Sequence, residues 1–153
     1  MIVPAYEIKP AKRAEGKGVF LTEAVRRGRV VVAPDAINKL YNHAERAALV
    51  PGSPEDEACV RWFETFHTVS LDWPDECYIN HSFNPTCLWH LGFVFALRDL
   101  QPGDEVTVDY RFVINDNEVM PWIDNETGEK VVGYTWEENL RKSTELLLEV
   151  LRK

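Results

Sequence analysis

The sequence predicts a mainly β domain of small sheets, interrupted by a helical insert at about 36–68 and closed by one C-terminal helix. Three observations predict it. Short β-branched and apolar runs are separated by Gly and Pro turns, a helix-start signal sits mid-chain, and the final segment is capped and leucine-rich. At 153 residues the chain is one ordinary domain, 1–153, able to bury a core without metal or disulfide staples.

Tyr6-Glu7-Ile8 opens the first strand, and Gly16-Lys17-Gly18 turns the chain into the apolar run Val19-Phe20-Leu21. Arg26-Arg27-Gly28 reads as a turn whose charges are solvated, like those of Lys12-Arg13. Val30-Val31-Val32 is a β-branched strand ended by Pro34. Ser53-Pro54-Glu55-Asp56 then starts a helix: Ser53 caps it, Pro54 takes the first position and Asp56 completes a capping box. Cys59, Val60 and Phe63 follow at helical spacing, with Trp62, Phe63 and Phe66 packing the insert.

After Trp73-Pro74 strand signals return. Tyr78-Ile79 leads into Asn80-His81-Ser82-Phe83-Asn84-Pro85, rich in turn formers, and Phe93-Val94-Phe95-Ala96-Leu97 is a buried-type strand. Gln101-Pro102-Gly103-Asp104 is a type II-like turn. Glu105-Val106-Thr107-Val108-Asp109-Tyr110 alternates, putting Val106, Val108 and Tyr110 on one face. In the tail, Thr135-Trp136-Glu137-Glu138 is a second capping box. Leu140, Leu147, Leu148 and Leu151 form an apolar stripe behind it, and Arg152-Lys153 suit the helix dipole.

Seventeen Lys and Arg against twenty-five Asp and Glu give a net charge of −8. An acidic surface repels phosphate backbones and argues against nucleic acid, whereas it suits a basic protein or peptide. No apolar run reaches the length of a membrane span, and the N-terminus lacks a secretory signal's apolar core. An odd count of three cysteines argues against a secreted disulfide framework. The expectation is an intracellular domain, cytoplasmic or otherwise.

Three segments, in order, resemble one family. Gly16-Lys17-Gly18-Val19-Phe20 is similar to the Gly-x-Gly motif that opens SET domains, Tyr78 to Pro85 to their Asn-His-Ser turn, and Glu105 to Tyr110 to their strand ending in Asp-Tyr. The Leu100-Gln101-Pro102-Gly103-Asp104 turn fits the same pattern. The resemblance spans about 16–112 and leaves the tail, about 113–153, uncovered. It implies a SET fold with a threaded, knot-like crossing, and an S-adenosylmethionine-dependent protein-lysine methyltransferase.

By the same resemblance, Lys17, Gly18, Val19 and Phe20 would lie against the cofactor, the Gly permitting close approach. Asn80 and His81 would hold its polar ends. Tyr110 would sit where amine and methyl donor meet, in a positioning and electrostatic role. Tyr78, Val108 and Trp122 would line the substrate channel, the small Val108 leaving room for more than one methyl. A peptide would add along a sheet edge.

The sequence also departs from the family. Phe83 stands where a zinc-ligand Cys is usual and no Cys-rich tail follows Tyr110, so no zinc is expected there. Trp122, Tyr134 or Trp136 is the expected wall of the channel instead. Val32-Ala33-Pro34 replaces the usual acidic-aromatic pair of the second strand. Cys77, His81, Cys87 and His90 cluster, but their spacing fits no usual zinc finger or ribbon. Two other readings share the motifs: the same pocket methylating a small-molecule amine, and a non-catalytic scaffold that binds cofactor or peptide.

Overall fold

The computed structural model describes residues 1–34, 39–69 and 71–152. β1 (Tyr6–Pro10) and β2 (Lys17–Leu21) form an antiparallel hairpin, with Ile8 opposite Val19. β3 (Val30–Val32), β9 (Phe93–Ala96) and β8 (Cys87–His90) make a three-stranded sheet in that order. β7 (Asn80–His81) runs parallel to β10 (Thr107–Val108), and β11 (Val119–Ile123) pairs antiparallel with β12 (Lys130–Val132). Among the described residues the sheets are small, as predicted.

The core gathers one face of each sheet. Val19, Leu21, Val31, Cys87, Val94, Ala96, Leu100 and Val106 are all buried in one cluster. β9 alternates rather than being buried throughout: Val94 and Ala96 face the core while Phe93 is exposed. The Gln101–Asp104 turn closes as expected. Asp104 N–H donates to Gln101 O at 3.0 Å and Gly103 takes φ +88°, a conformation that favours glycine there.

The insert corrects the helical expectation. α1 (His43–Ala47) and α2 (Pro54–Glu57) each last about one turn, and the part of the insert before Lys39 lies outside the described residues. β5 (Cys59–Phe63) pairs with β6 (Phe66–Val69), which also pairs with β4 (Leu40–Tyr41). Ser53 does cap α2, accepting Asp56 N–H, but Asp56 turns back to Gly52 N–H instead of closing a box. With Pro and three acids, α2 has no apolar face to continue it, whereas Val60, Trp62 and Phe63 suit a pleated surface. Trp62 packs edge-on to Phe63, which stacks on Phe66.

α3 (Trp136–Leu151) has the predicted capping box at Thr135 and Glu138. Its leucine stripe, however, is not what it buries. Leu140, Leu148 and Leu151 are 38%, 52% and 59% exposed, while Asn139, Ser143 and Val150 face inward. The helix is turned by polar pairs: Asn139 Nδ2 donates to Phe112 O at 2.6 Å, and Ser143 Oγ meets His90 Nδ1 at 2.9 Å. Arg27 donates to Glu149 O near the helix end, so this turn arginine is a cap and not merely solvated. Lys153 lies outside the described residues.

Candidate active site

The parallel pairing of β7 and β10 builds the centre of the site. It sets Asn80 opposite Thr107 and His81 opposite Val108, joining two motifs far apart in sequence. Ser82 N–H donates to Val108 O at 3.0 Å and extends the join. The strand stops earlier than its alternation predicts. Asp109 accepts Arg111 N–H and starts a 3₁₀ turn, Tyr110–Phe112, that carries Tyr110 off the strand. Tyr110 N–H then donates to His81 Nδ1 at 3.1 Å, and its hydroxyl donates to Ile79 O at 2.7 Å.

Two cavities meet here. A polar cleft of about 990 Å³ is lined by Asn80, His81, Glu105 and Tyr110, by the loop from Lys12 to Glu15, and by the turn from Asp124 to Glu126. A second, more apolar cavity of about 690 Å³ lies between the insert sheet and the core, with Cys77, Ile79, Val108 and Met120 in its wall. Tyr110 and Trp122 line both. Trp122 lies 6.2 Å from Tyr110 and 5.7 Å from His81 between ring centroids. Of the three aromatic residues expected to close the channel, Trp122 lines these cavities and Tyr134 and Trp136 do not. Tyr134 packs on Phe112, and Trp136 begins α3.

The electrostatics follow from burial. Loss of water pushes the Tyr110 hydroxyl up to about 12, with the neighbouring Cys77 thiol acting the same way. Burial lowers His81, against the pull of Asp109 and Asp124. With Nδ1 accepting from Tyr110, the neutral ring carries its proton on Nε2, and that buried atom has no hydrogen-bond partner. Burial also raises Cys77 to about 11, so it stays a thiol at neutral pH.

Other expected residues fall differently. Gly18 is held close to Asn80 and Glu105, and Lys17 O accepts from Asn80 Nδ2 at 3.0 Å. Val19 and Phe20 are buried and line neither cavity, so their side chains belong to the packing beneath the site. Tyr78 also lines neither cavity. It packs against the core with Lys17 Nζ over its ring, apart from both cavities. Phe83, in the position of the missing Cys, packs on His81 and under Arg111.

Sequence reasoning missed several lining residues. Lys12 and Arg13 are not merely solvated: Lys12 N–H donates to Glu105 Oε2, and Arg13 pairs with Glu126 across 2.6 Å. Glu105 was legible only as the acid that leads the Glu-Val-Thr-Val-Asp-Tyr strand. Among the described residues no three His, Cys, Asp or Glu side chains converge as a metal site. His90 bonds Ser143, His81 bonds Tyr110, and Cys87 is buried in the core.

No helix among the described residues is long and apolar enough to cross a membrane. No curated protein matches the chain significantly. The sequence profile described as "SET domain" matches residues 16–111, well over half of the chain and nearly the span from the Gly-x-Gly turn to Tyr110. Members of that family are generally protein-lysine methyltransferases, and the chain belongs to the SET domain family.

Proposed function

We propose that the protein transfers a methyl group from S-adenosylmethionine to the ε-amine of a lysine in a basic protein or peptide, within the cell. The observation that carries this reading is the place of Tyr110, which lines both the polar cleft and the apolar cavity. A donor and an acceptor entering from the two sides would meet at that residue.

The residues of the cleft fit the donor. S-adenosylmethionine has an ammonium and an exocyclic amine to donate, and ring nitrogens and a carboxylate to accept. Asn80 Oδ1 makes no hydrogen bond among the described residues and is free to accept, and His81 Nε2 is a buried donor without a partner. A volume near 990 Å³ is ample for a ligand of that size. Cleft acids Glu15, Asp104, Glu105, Asp124 and Glu126 outnumber Lys12, Arg13 and Arg98, which suits a ligand with net positive charge. When bound, S-adenosylmethionine supplies an electrophilic methyl on a sulfonium.

The chain's own residues handle the amine. A lysine has a reference pKa near 10.4, so presenting it neutral at pH 7 costs about 4.6 kcal/mol. Val108, Ile79 and Met120 offer it an apolar wall, where desolvation favours the neutral form and its proton is shed to water at the mouth. The Tyr110 hydroxyl donates its one proton to Ile79 O, leaving its lone pairs to accept from the amine and orient it. Raised to about 12, that hydroxyl stays protonated and acts by position, not as a base. Holding the reactants in line is worth about 7–11 kcal/mol in principle. Trp122 lines the same cavity beside Tyr110.

The test is transfer of isotopically labelled methyl from S-adenosylmethionine to lysine-rich peptides and to a protein extract. Label on lysine with the wild type and little with Tyr110→Phe supports the reading. Label confined to small amines would move the activity to another substrate class, and no label with bound donor would leave a binding scaffold.

A further inference from the structure

Asn80 has one amide group and two acceptors aimed at it. Its Nδ2 donates to Lys17 O at 3.0 Å and to Glu105 Oε1 at 3.2 Å. A backbone carbonyl and a carboxylate can only accept, so together they fix which end of the amide faces them. Oδ1 therefore points away from both.

Glu105 is 8% exposed and forms no ion pair among the described residues. Its second oxygen, Oε2, accepts Lys12 N–H at 3.1 Å and so also holds the Lys12 to Glu15 loop that lines the cleft. The carboxylate fits only because residue 18 is glycine: a Cβ there would lie 2.4 Å from Oε1. A buried carboxylate with two neutral donors and no cation is a costly way to fill space. A glutamine of the same shape could satisfy either Asn80 or Lys12, but not both.

We propose that Glu105 is a positioning residue of the donor cleft: it locks the Asn80 amide with Oδ1 toward the ligand, and ties the Lys12 loop to the same carboxylate. Asn80 then presents an acceptor to a hydrogen-bond donor of the ligand. The inference rests on the cleft being the S-adenosylmethionine site proposed above.

A double-mutant cycle on the full chain tests it, with S-adenosylmethionine as the probe in calorimetric titration. Glu105→Gln weakens binding about tenfold, the scale of one lost hydrogen bond to a charged group. Asn80→Ala weakens it at least as much, and the double variant is no weaker than Asn80→Ala within about twofold. In turnover assays Glu105→Gln raises KM for the donor about tenfold and lowers kcat by less than about threefold. Glu105→Asp keeps the charge but draws the carboxylate back from Asn80 and reproduces the same loss, which keeps the test open if Glu105→Gln folds poorly. Wild-type affinity in Glu105→Gln, or a full further tenfold loss in the double variant, overturns the proposal while the cleft assignment stands. No binding by the wild type removes the cleft assignment itself, and this inference with it.

Discussion

The backbone N–H of Tyr110 donates to Nδ1 of His81 across 3.1 Å. This bond ties the residue at the meeting of the two cavities to the turn that floors the polar cleft. It also fixes the histidine tautomer, leaving Nε2–H as the free donor. A shift of the Asn80–His81 strand is therefore felt at Tyr110 through one bond.

Removing the Tyr110 hydroxyl separates binding from turnover. Tyr110→Phe keeps the ring packed against His81 and Trp122 but loses the bond to Ile79 O and the acceptor proposed for the amine. The expected outcome is unchanged donor affinity with kcat lowered at least about tenfold, since a positioned hydrogen bond acts on the transition state. Equal turnover in the two proteins would take Tyr110 out of the mechanism.

Trp122→Ala removes a side chain that lines both the cleft and the apolar cavity. Water then reaches the amine, and the apolar wall that favours its neutral form is breached. Steady-state kinetics should show a kcat/KM for the peptide reduced about ten- to a hundredfold, with Trp122→Phe recovering most of it. Recovery by leucine as complete as by phenylalanine would show that bulk and not an aromatic face is needed.

Stability falls as the pH drops below about 6.5. His67, His81 and His90 are each lowered by burial, so below the unfolded value of 6.5 the unfolded chain binds more protons than the folded one. Their contribution is complete above that pH and is lost progressively below it. Asp124 is also lowered, and its contribution is lost only in a more acidic range. Urea unfolding at about pH 7.5 and 5.5 should give a lower free energy at the acid end, and His67→Gln should flatten the slope. Greater stability at the acid end would contradict the assignment.

The C-terminal helix is anchored by its polar face. Asn139→Ala leaves the Phe112 carbonyl without its donor and should cost about 1–3 kcal/mol. Leu148→Ala, at a 52% exposed position, should change stability by no more than about 0.5 kcal/mol. Denaturant midpoints of the two variants compare them directly, and the reverse order would mean that the leucine stripe is covered in solution.

Much of the site was legible because its motifs are local. Asn80, His81 and Tyr110 stand in short, distinctive strings, and the parallel pairing of β7 and β10 joins them. The residues that were missed act at a distance from their own segment. Glu105 meets Asn80 and Lys12, and Arg13 meets Glu126, through contacts with no sequence periodicity. In α3 the leucine pattern was real, but two hydrogen bonds decided the buried face, since an unpaired buried carbonyl costs more than an exposed leucine. The insert misled for another reason. Its cap was read correctly, yet one turn of Pro and acids nucleates nothing, and the aromatic residues behind it pair as strands.

The measurement that tests the central claim most directly is a crystal structure with S-adenosylhomocysteine and a lysine-rich peptide. The account predicts the nucleoside product in the polar cleft against Asn80 and His81, and a lysine entering the apolar cavity past Val108 and Trp122, with the sulfur and the amine meeting beside Tyr110. A nucleoside in the apolar cavity, or a lysine arriving through the polar cleft, would contradict it.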